Sequence, residues 1–452
     1  MILSPSQDVA LYSEERRLTF AELVDEMQGF VGTLRLKCPL ERPLIALRVD
    51  NSVNAIVACL ACWQNGFPFV LLDQSAQWQD LIEQYQVNLV CLATADSVTF
   101  TAYSQRTHCL NPDLRMLLST SGTTGRAKLV MLSDNNLTSN ARSIAEYLQI
   151  TPQERGLLSL PLAYSYGFSI VSSHLLAGAS VILADPNLMG KALWRAANTF
   201  KASSFAGVPF SYQFLLRVGL ARGLPGTIKT LTQAGGKLAA TEVAKIAMYA
   251  KEHALSFYVM YGQTEASPRI AYLEPEDVVE HASSIGNAIP GGELWLEDEL
   301  GVTLTEDMQS GELVYRGPNV MLGYASEVDD LAKSSGTNVL HTGDLAYQKD
   351  GRYYITGRLK RMIKLNGKRF SLDDLQSQLS SRLDCAELVC TGEDDALCVT
   401  VGDKAYVKRA KSILADYGVS PALVRVNVVS PIPMTANGKF DLVAVQELVD
   451  AN

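Results

Sequence analysis

Apolar residues recur along most of this chain with two different periods. Residues 19–34 carry them at helical spacing, and residues 237–255 repeat the helical pattern directly after an apolar run. Short apolar runs that are typical of buried strands occur at residues 43–49, 88–93, 180–185 and 230–235. Strand-like and helix-like segments alternate in this way up to about residue 330. The alternation predicts an α/β fold with mostly parallel sheets.

The pattern changes towards the C-terminus. Residues 351–370 predict a hairpin followed by a basic linker, and residues 371–383 form an amphipathic helix pattern behind a Ser371 N-cap. Further short strand and helix patterns follow to the end of the chain. We therefore predict a large N-terminal α/β domain over residues 1–357 and a small C-terminal α+β domain over residues 358–452, joined by a hinge.

Composition narrows the class of protein. The chain has 452 residues, 47% of them hydrophobic, and a formal net charge of -9. A non-specific binder of nucleic acid or anionic membranes is normally basic, so we expect no nucleic-acid partner. No apolar run approaches the ~18–20 residues that span a bilayer, so we expect no membrane insertion.

The N-terminus lacks a signal-peptide pattern and the eight cysteines form no disulfide framework, which predicts a cytoplasmic protein. Cys59 and Cys62 form a CxxC, which we interpret as two small buried helix residues because no second ligand pair accompanies them.

The segment "STSGTTGRAK" at residues 119–128 concentrates glycines, hydroxyl side chains and cations between two apolar runs. Backbone N–H groups, hydroxyl donors and a nearby cation are suited to hold phosphate. The segment does not fit the GxxxxGK[ST] pattern, because Lys128 follows Gly125 by three residues and precedes Leu129. By itself this segment predicts a phosphate site, most naturally for a nucleotide.

Four further motifs accompany this segment in order: "YGQTE" from residue 261, "TGD" from residue 342, "GRLKRMIK" from residue 357 and "PMTANGK" from residue 433. With them the chain resembles the adenylate-forming (ANL) superfamily of AMP-dependent synthetases and ligases, which includes acyl-CoA synthetases, peptide-synthetase adenylation domains and luciferases. The resemblance covers nearly the whole chain. It implies ATP-dependent activation of a carboxylic acid to an acyl-adenylate with release of pyrophosphate, followed by transfer to a pantetheine thiol.

The resemblance also implies roles for particular residues. The side chains and backbone that grip the phosphates would be Thr120, Ser121, Gly122, Thr123, Thr124, Gly125 and Lys128. The rest of the ATP and AMP site would comprise Gly235, Gly236, Tyr261, Gly262, Gln263, Thr264, Asp344 and Arg358. Within it, the Tyr261 ring would pack on adenine, Thr264 would donate to the α-phosphate, and Asp344 would accept from both ribose hydroxyls. Glu265 would hold Mg²⁺, a hard cation suited to a carboxylate.

Three predicted residues lie in or near the small domain. Lys439 matches the superfamily's C-terminal lysine and would offset the negative charge that develops as the acid attacks the α-phosphate. With Thr264 and Lys128 it completes the predicted catalytic set. Lys360 lies at the predicted hinge, and Gly367 would give room to the pantetheine arm in a thiol tunnel.

The predicted substrate pocket contains Tyr164, Ser165, Met260 and Arg269. Ser165 stands where amino-acid-activating relatives place an aspartate, and an ammonium without a counter-charge would be costly, so a plain α-amino acid is disfavoured. Met260 stands where many ligases have glycine, which predicts a small or medium acid. Arg269 has two interpretations: it pairs with a second anionic group of the substrate, or it is turned to solvent.

Three functions remain open at this point. The first is an acid–CoA ligase, and the second is a freestanding adenylation enzyme that loads a phosphopantetheinyl carrier protein in trans. The third belongs to another class, a nucleotide-binding protein without catalysis. Lys439, Glu265 and Asp344 together favour an enzyme, since binding alone would not need all three.

Overall fold

The computed structural model describes residues 3–74, 78–119, 128–365, 368–385, 387–417, 419–435 and 440–450. The predictions for Thr120, Ser121, Gly122, Thr123, Thr124, Gly125, Gly367 and Lys439 lie outside these residues.

The first third of the chain builds most of one sheet and the helices on it. Its elements are β1 (Val9–Tyr12), β2 (Arg17–Thr19), α1 (Phe20–Lys37), β3 (Ile45–Val49), α2 (Val53–Gln64), β4 (Phe69–Asp73), α3 (Gln79–Tyr85), β5 (Leu89–Ala93), β6 (Val98–Ala102), β7 (Leu114–Ser119), β8 (Leu129–Ser133) and α4 (Asp134–Tyr147). Helix α1 shows how the sequence specifies them: Thr19 and Glu22 form a reciprocal capping box. Leu23, Met27 and Leu34 then bury one face of the helix.

The middle of the chain continues the alternation of strand and helix. Its elements are β9 (Arg155–Leu157), α5 (Ser165–Leu176), β10 (Ser180–Ile182), α6 (Lys191–Thr199), β11 (Ser204–Gly207), α7 (Pro209–Val218), α8 (Leu220–Gly223), β12 (Thr230–Gln233), α9 (Ala240–Glu252), β13 (Ser256–Gly262), a 3₁₀ turn (Thr264–Ala266) and β14 (Arg269–Leu273). The strands predicted at residues 43–49, 88–93, 180–185 and 230–235 are therefore observed as β3, β5, β10 and β12.

From residue 287 the chain changes to antiparallel strands. The elements are β15 (Asn287–Ala288), β16 (Glu293–Glu297), β17 (Thr303–Leu304), β18 (Ser310–Arg316), β19 (Gly323–Ala325), a 3₁₀ turn (Val328–Ala332), β20 (Val339–Lys349), β21 (Arg352–Arg358) and a 3₁₀ turn (Leu359–Arg361). The alternation thus ends earlier than the expected residue 330. Strands β17, β16, β18, β20 and β21 form their own sheet, in that order.

Two larger sheets make up the α/β part. One has the order β15-β14-β13-β12-β11-β9-β10-β1-β2 and the other β19-β8-β7-β4-β3-β5-β6. Neighbouring strands are parallel in the middle of each sheet, as for β11, β12 and β13, and antiparallel at the edges. One apolar cluster includes buried residues of both sheets and of α1, α2, α4 and α5, so these helices connect the sheets. The predicted fold class, with mostly parallel sheets, is confirmed.

The C-terminal segment is a small α+β unit. Its elements are β22 (Met362–Leu365), β23 (Lys368–Ser371), α10 (Leu372–Leu383), β24 (Leu388–Glu393), β25 (Ala396–Val401), a 3₁₀ turn (Lys404–Tyr406), α11 (Val407–Asp416), a 3₁₀ turn (Pro421–Leu423), β26 (Val424–Val428) and α12 (Leu442–Asp450). The segment expected to be a basic linker contains the β22–β23 hairpin. Ser371 is the predicted N-cap, and its hydroxyl accepts from the backbone N–H of Asp374.

The apolar clusters of the described residues separate near the predicted domain boundary. The clusters on the N-terminal side include residues up to Ile355, and those on the C-terminal side begin at Ile363. The division at Gly357 stays a prediction, which this separation of cores supports.

Candidate active site

The centre of the site is the turn between β13 and β14, at the carboxyl end of the parallel strands. A Cβ atom on Gly262 would overlap the Pro268 carbonyl, so only glycine fits where the chain leaves β13. The buried amide of Asn319 donates to the carbonyls of Ala266 at 2.6 Å and Arg269 at 2.7 Å. These contacts fix the turn that carries the "YGQTE" side chains. Asn319 was not predicted as a site residue. It lies in the "RGPNVMLGY" segment, whose glycine and proline indicate a turn.

The buried side chain of Asp344 is contacted by three other residues of the predicted nucleotide site. The Tyr261 hydroxyl donates to Asp344 Oδ2, which also accepts from Gln263 Nε2 at 3.0 Å. Arg358 Nε donates to the other carboxylate oxygen at 2.9 Å. A carboxylate accepts about four hydrogen bonds, so these three donors leave about one position for a ribose hydroxyl. The predicted pairing with both hydroxyls requires one protein donor to turn away.

The Tyr261 hydroxyl remains protonated in this arrangement. Burial raises the pKa of Tyr261 well above its usual value, and the adjacent Asp344 carboxylate raises this pKa further. Tyr261 is therefore a donor to Asp344 at any physiological pH. The predicted packing of its ring on adenine stays a prediction, while the role of its hydroxyl was not anticipated.

Two further side chains hold the "TGD" turn in place. Thr342 Oγ1 donates to the Leu313 carbonyl at 2.6 Å and accepts from the Asp344 backbone N–H at 3.1 Å. Glu312 accepts from the backbone N–H of Gly343 at 3.0 Å, where a φ of +70° favours glycine. The neighbouring sheet of β18 and β20 thus orients the Asp344 carboxylate. Glu312 carries no local sequence signal for this role, because its partner comes from the adjacent strand.

Glu265 and Lys128 are brought together through Tyr324. The Tyr324 hydroxyl donates to Glu265 Oε1 at 2.7 Å, and Lys128 Nζ lies 3.5 Å from the centroid of the Tyr324 ring. In the part of the chain that is described, no group of three or more His, Cys, Asp or Glu could form a complete metal site. Mg²⁺ is often held by one or two carboxylates together with substrate phosphates, and Glu265 fits that mode. Tyr324 was not predicted from the sequence.

The start of α5 lies against the "QTE" turn and the glycine pair. Ser165 Oγ and Thr264 Oγ1 are 3.5 Å apart. A Cβ atom on Gly235, which has a φ of +85°, would lie 2.7 Å from the Tyr164 hydroxyl. A Cβ atom on Gly236 would lie 3.1 Å from Pro209. Gly235 is therefore favoured both by its φ and by this close contact, whereas a side chain at Gly236 would require a small shift of Pro209.

A cavity of about 270 Å³ extends from this region between α4, α5 and the sheet. Its wall contains Met260 and Arg269, and it is rich in hydroxyls, including those of Tyr166, Ser169 and Thr232. The Tyr147 hydroxyl donates to Met260 Sδ at 3.0 Å. Ligand pockets usually measure roughly 300–1,000 Å³, so this cavity is at the small end of that range.

Arg269 is buried, with 3% of its surface exposed, so the interpretation of an arginine turned to solvent is wrong. Its Nη2 donates to Ser169 Oγ at 3.2 Å, and its guanidinium carbon lies 4.4 Å from the centroid of the Tyr166 ring. Its Nε has no hydrogen-bond partner, and among the described residues no ion pair neutralises its charge. Burial raises the pKa of Tyr147, and the nearby Arg269 guanidinium partly offsets that rise.

The remaining predicted positions lie away from this centre. Lys360 is exposed in the 3₁₀ turn two residues after Arg358, and its hinge role stays a prediction. Cys59 and Cys62 are buried on α2, as the interpretation of two core residues requires. Neighbouring Cys91 is also buried, which raises the pKa of its thiol to about 12. All eight cysteines are free.

Comparisons with known proteins agree with this geometry. A family described as AMP-binding enzyme matches residues 87–325, more than half of the chain. The chain therefore belongs to the AMP-binding enzyme family. None of the described helices combines the length and the apolar character that crossing a membrane demands.

Two curated relatives match over most of this chain. It is 26% identical over 409 residues to 2-succinylbenzoate–CoA ligase of Enterococcus faecalis, which covers 86% of this chain and 83% of the relative. It is also 26% identical over 482 residues to tyrocidine synthase 2 of Brevibacillus parabrevis. This match covers 96% of this chain but 13% of that much longer protein.

Among solved structures, o-succinylbenzoate coenzyme A synthetase from Bacillus subtilis has a similar fold. The complex with ATP and magnesium ion is 22% identical, with a TM-score of 0.79, and the match covers 96% of this chain and 95% of the other. The complex with the acyl-adenylate intermediate is 21% identical, with a TM-score of 0.79, and the match covers 98% and 95%. At these identities the likeness shows the two-domain fold alone.

Proposed function

We propose that this protein is an AMP-forming acid–thiol ligase that converts a small or medium carboxylic acid to its CoA thioester. The observation that carries this proposal is the position of the Asp344 cluster beside an acid-sized cavity of about 270 Å³. Tyr261 belongs to the cluster and its neighbour Met260 lines the cavity, so one strand end serves both. Membership of the AMP-binding family and the CoA ligases among the relatives support the same reading.

In the first half-reaction an oxygen of the acid's carboxylate attacks the α-phosphorus of ATP. A new phosphorus–oxygen bond forms, the bond to the β-phosphate bridge breaks, and pyrophosphate leaves with its electron pair. No protein nucleophile is needed, so the task of the protein is to position the reactants and offset charge. Thr264, which lies 3.5 Å from Ser165, would donate to the α-phosphate, and Lys128 would bind the outer phosphates. Lys439 is the predicted residue that bridges the carboxylate and the α-phosphate.

The nucleotide is oriented by the cluster around Asp344. Its carboxylate accepts from ribose while Tyr261, Gln263 and Arg358 hold it in one orientation. When bound with ATP, Mg²⁺ would neutralise phosphate charge, and Glu265 would be a carboxylate ligand for it. Because Tyr324 donates to Glu265, the carboxylate is already oriented towards the side where Lys128 lies.

In the second half-reaction the thiol sulfur attacks the acyl carbon, AMP leaves, and the thiol proton passes to solvent. We infer that the domain of residues 358–452 rotates about Lys360 between the two steps, so that Gly367 lines the thiol's path. The separation of apolar cores near this boundary supports such a motion, since few apolar contacts would be broken. The free cysteines suit a cytoplasmic, reducing location.

Carrier-protein loading is the second candidate function. The match to tyrocidine synthase 2, which is 26% identical over 96% of this chain, supports it. The acceptor would then be a phosphopantetheine thiol on a separate carrier. A nucleotide-binding protein without catalysis is disfavoured, since nucleotide binding alone does not explain an acid-sized cavity beside the nucleotide cluster.

Exchange of labelled pyrophosphate into ATP, measured across a panel of acids, tests the proposal. We expect exchange that depends on both the acid and Mg²⁺, and formation of the thioester when CoA is added. Transfer to a phosphopantetheinylated carrier but not to CoA would select the second candidate. Absence of exchange with every acid, in protein shown by calorimetry to bind ATP, would overturn the enzymatic proposal. The matched control is Lys439→Ala, which should retain ATP binding and lose exchange.

A further inference from the structure

The wall of the cavity beside the nucleotide cluster contains a buried cation, Arg269, and no acidic side chain of the described residues forms an ion pair with it. Arg269 is 3% exposed, and its guanidinium meets the neutral hydroxyls of Ser169, at 3.2 Å from Nη2, and of Tyr147. Its Nε has no hydrogen-bond partner among the residues that the structure describes. The Tyr166 ring lies against the guanidinium at 4.4 Å, which is an attractive contact but supplies no negative charge. Proteins rarely bury an isolated charge, because desolvation is costly unless a partner compensates. A ligand that brings an anion into the cavity would provide that partner.

Arg269 lies at the end of the cavity where the reaction occurs. It pairs with Gly262 across β13 and β14, and Gly262 follows Tyr261 of the nucleotide cluster. Ser169 and Tyr166 contact Arg269 from α5, the helix whose first residue approaches Thr264. A group bound by Arg269 is therefore close to the acid's reacting end, and the hydroxyl-lined part of the cavity continues beyond it.

The other charged side chains of the cavity wall are Glu154 and Lys229, at the opposite end. They precede β9 and β12, at the edge where β13 also begins. Strand β13 runs from Ser256 to Gly262, so the two edges are about 20 Å apart at 3.3 Å per residue. Glu154 is thus too far away to neutralise Arg269.

The other titratable side chains of the wall are His174, Tyr166 and Tyr258, and burial shifts the pKa of each in the direction that favours its neutral form. Burial lowers the pKa of His174, and its Nδ1 is 2.8 Å from the Ile170 carbonyl, which the neutral ring's N–H can satisfy. The inner cavity therefore offers hydroxyls and one positive charge. That combination is suited to an oxygen-rich anion.

We propose that the acid carries a second carboxylate, and that Arg269 binds this group while the first carboxylate reacts with ATP. The inference rests on the proposed ligase function and adds the substrate class, a dicarboxylic acid. Arg269 acts here as a specificity-determining residue: it offers two or more N–H donors to the non-reacting carboxylate, and Ser169 supplies a hydroxyl beside them. The reacting atoms themselves are handled by the nucleotide cluster.

The test compares pairs of acids that differ by one carboxylate, such as butyrate with glutarate and benzoate with phthalate. The assay is pyrophosphate exchange with wild type, Arg269→Leu, Arg269→Lys and the control Arg48→Leu. Arg48 is the matched control because it also stacks on an aromatic ring, 4.5 Å from the centroid of Trp78, and also has an unpartnered Nε. It does not line the cavity.

For wild type we expect kcat/KM to be about 100-fold higher for the dicarboxylate of the preferred pair, since two charge-assisted hydrogen bonds are gained. Arg269→Leu should remove that preference and leave the monocarboxylate within about threefold, whereas Arg269→Lys should restore part of it. Arg48→Leu should keep the wild-type preference. A thermal shift with the dicarboxylate alone, present in wild type and absent in Arg269→Leu, would give the same answer without catalysis.

Two results would overturn the inference while leaving the ligase proposal intact. One is a wild type that activates monocarboxylates as well as or better than their partners. The other is an Arg269→Leu variant that is folded, by its unfolding transition, and loses both acids of a pair equally. Absence of exchange with every acid would instead overturn the ligase proposal, and the substrate class with it.

Discussion

Asp344 and Arg269 are two buried charged residues near the β13–β14 turn, and they differ in the partners that the protein provides for them. Asp344 is 2% exposed and its carboxylate accepts from three side chains, whereas Arg269 is 3% exposed and meets neutral hydroxyls but no carboxylate among the described residues. The nucleotide end is therefore organised by the protein itself. At the acid end, no acidic side chain of the described part of the chain pairs with Arg269, and a ligand anion would compensate its charge. The first arrangement suits a constant co-substrate, and the second suits selection among acids.

Among the substitutions that test this comparison, Asp344→Asn is expected to have the largest effect on activity. The substitution removes the charge that orients three donors and replaces one carboxylate oxygen with an amide that cannot accept. We expect kcat/KM for ATP in pyrophosphate exchange to fall about 1,000-fold, and the free energy of unfolding by about 2–3 kcal/mol. The Arg358 side chain is 58% exposed, so its ion pair contributes only a small part of that loss. A fall in kcat/KM of less than tenfold would contradict a pre-organised nucleotide end.

Tyr261→Phe separates the packing role of the ring from the role of its hydroxyl. Because the buried phenol keeps its proton and donates to Asp344, its removal should lower the free energy of unfolding by about 1–2 kcal/mol. It also frees an acceptor position for ribose, so KM for ATP should change less than tenfold. Urea unfolding and exchange kinetics measure the two quantities. An unchanged unfolding midpoint would show that the hydroxyl is not part of the cluster in solution.

At the acid end, Arg269→Leu is expected to stabilise the protein in the absence of substrate. Removing an uncompensated buried charge should raise the free energy of unfolding by about 1–2 kcal/mol. For a chain of 452 residues, with an unfolding entropy of about 2.1 cal/mol/K per residue, each kcal/mol corresponds to an increase in Tm of about 1 °C in differential scanning calorimetry. Arg48→Leu is the control, and no gain is expected because Arg48 is partly exposed. A lower Tm for Arg269→Leu would mean that the protein already compensates this charge.

The smallest effect concerns His174 in the cavity wall. Its pKa in the folded state is lowered by burial, so below about pH 6.5 the unfolded chain binds more protons than the folded one. The stabilising contribution is complete above the unfolded pKa and is lost as the pH falls towards the folded pKa. We expect His174→Gln to remove up to about 1.4 kcal/mol per pH unit from the acid slope of the unfolding free energy. The slopes are measured by urea unfolding between pH 7 and pH 5. Identical slopes for the variant and the wild type would mean that the pKa of His174 is the same in the folded and the unfolded state.

The sequence by itself predicted the local elements and the order of the motifs. Helix α1 follows from its capping box and apolar face, and β3, β5, β10 and β12 follow from short apolar runs, since both signals lie within one segment. The sequence did not predict where the α/β alternation ends. Pairing of β16, β18 and β20 depends on strands that are distant in the chain, and short strands with one exposed face have a weak pattern.

The chemistry of the site divides in the same way. Motif residues such as Tyr261, Glu265 and Asp344 could be selected from the sequence because their types and order resemble a family. Their partners Tyr324, Asn319 and Glu312 could not, since each reaches the site from an adjacent strand or loop. Whether Arg269 pointed to solvent or to a cavity was likewise open. Only tertiary packing of α5 and Tyr166 against β14 decided that it is buried, because burial is a property of neighbours that a single position does not encode.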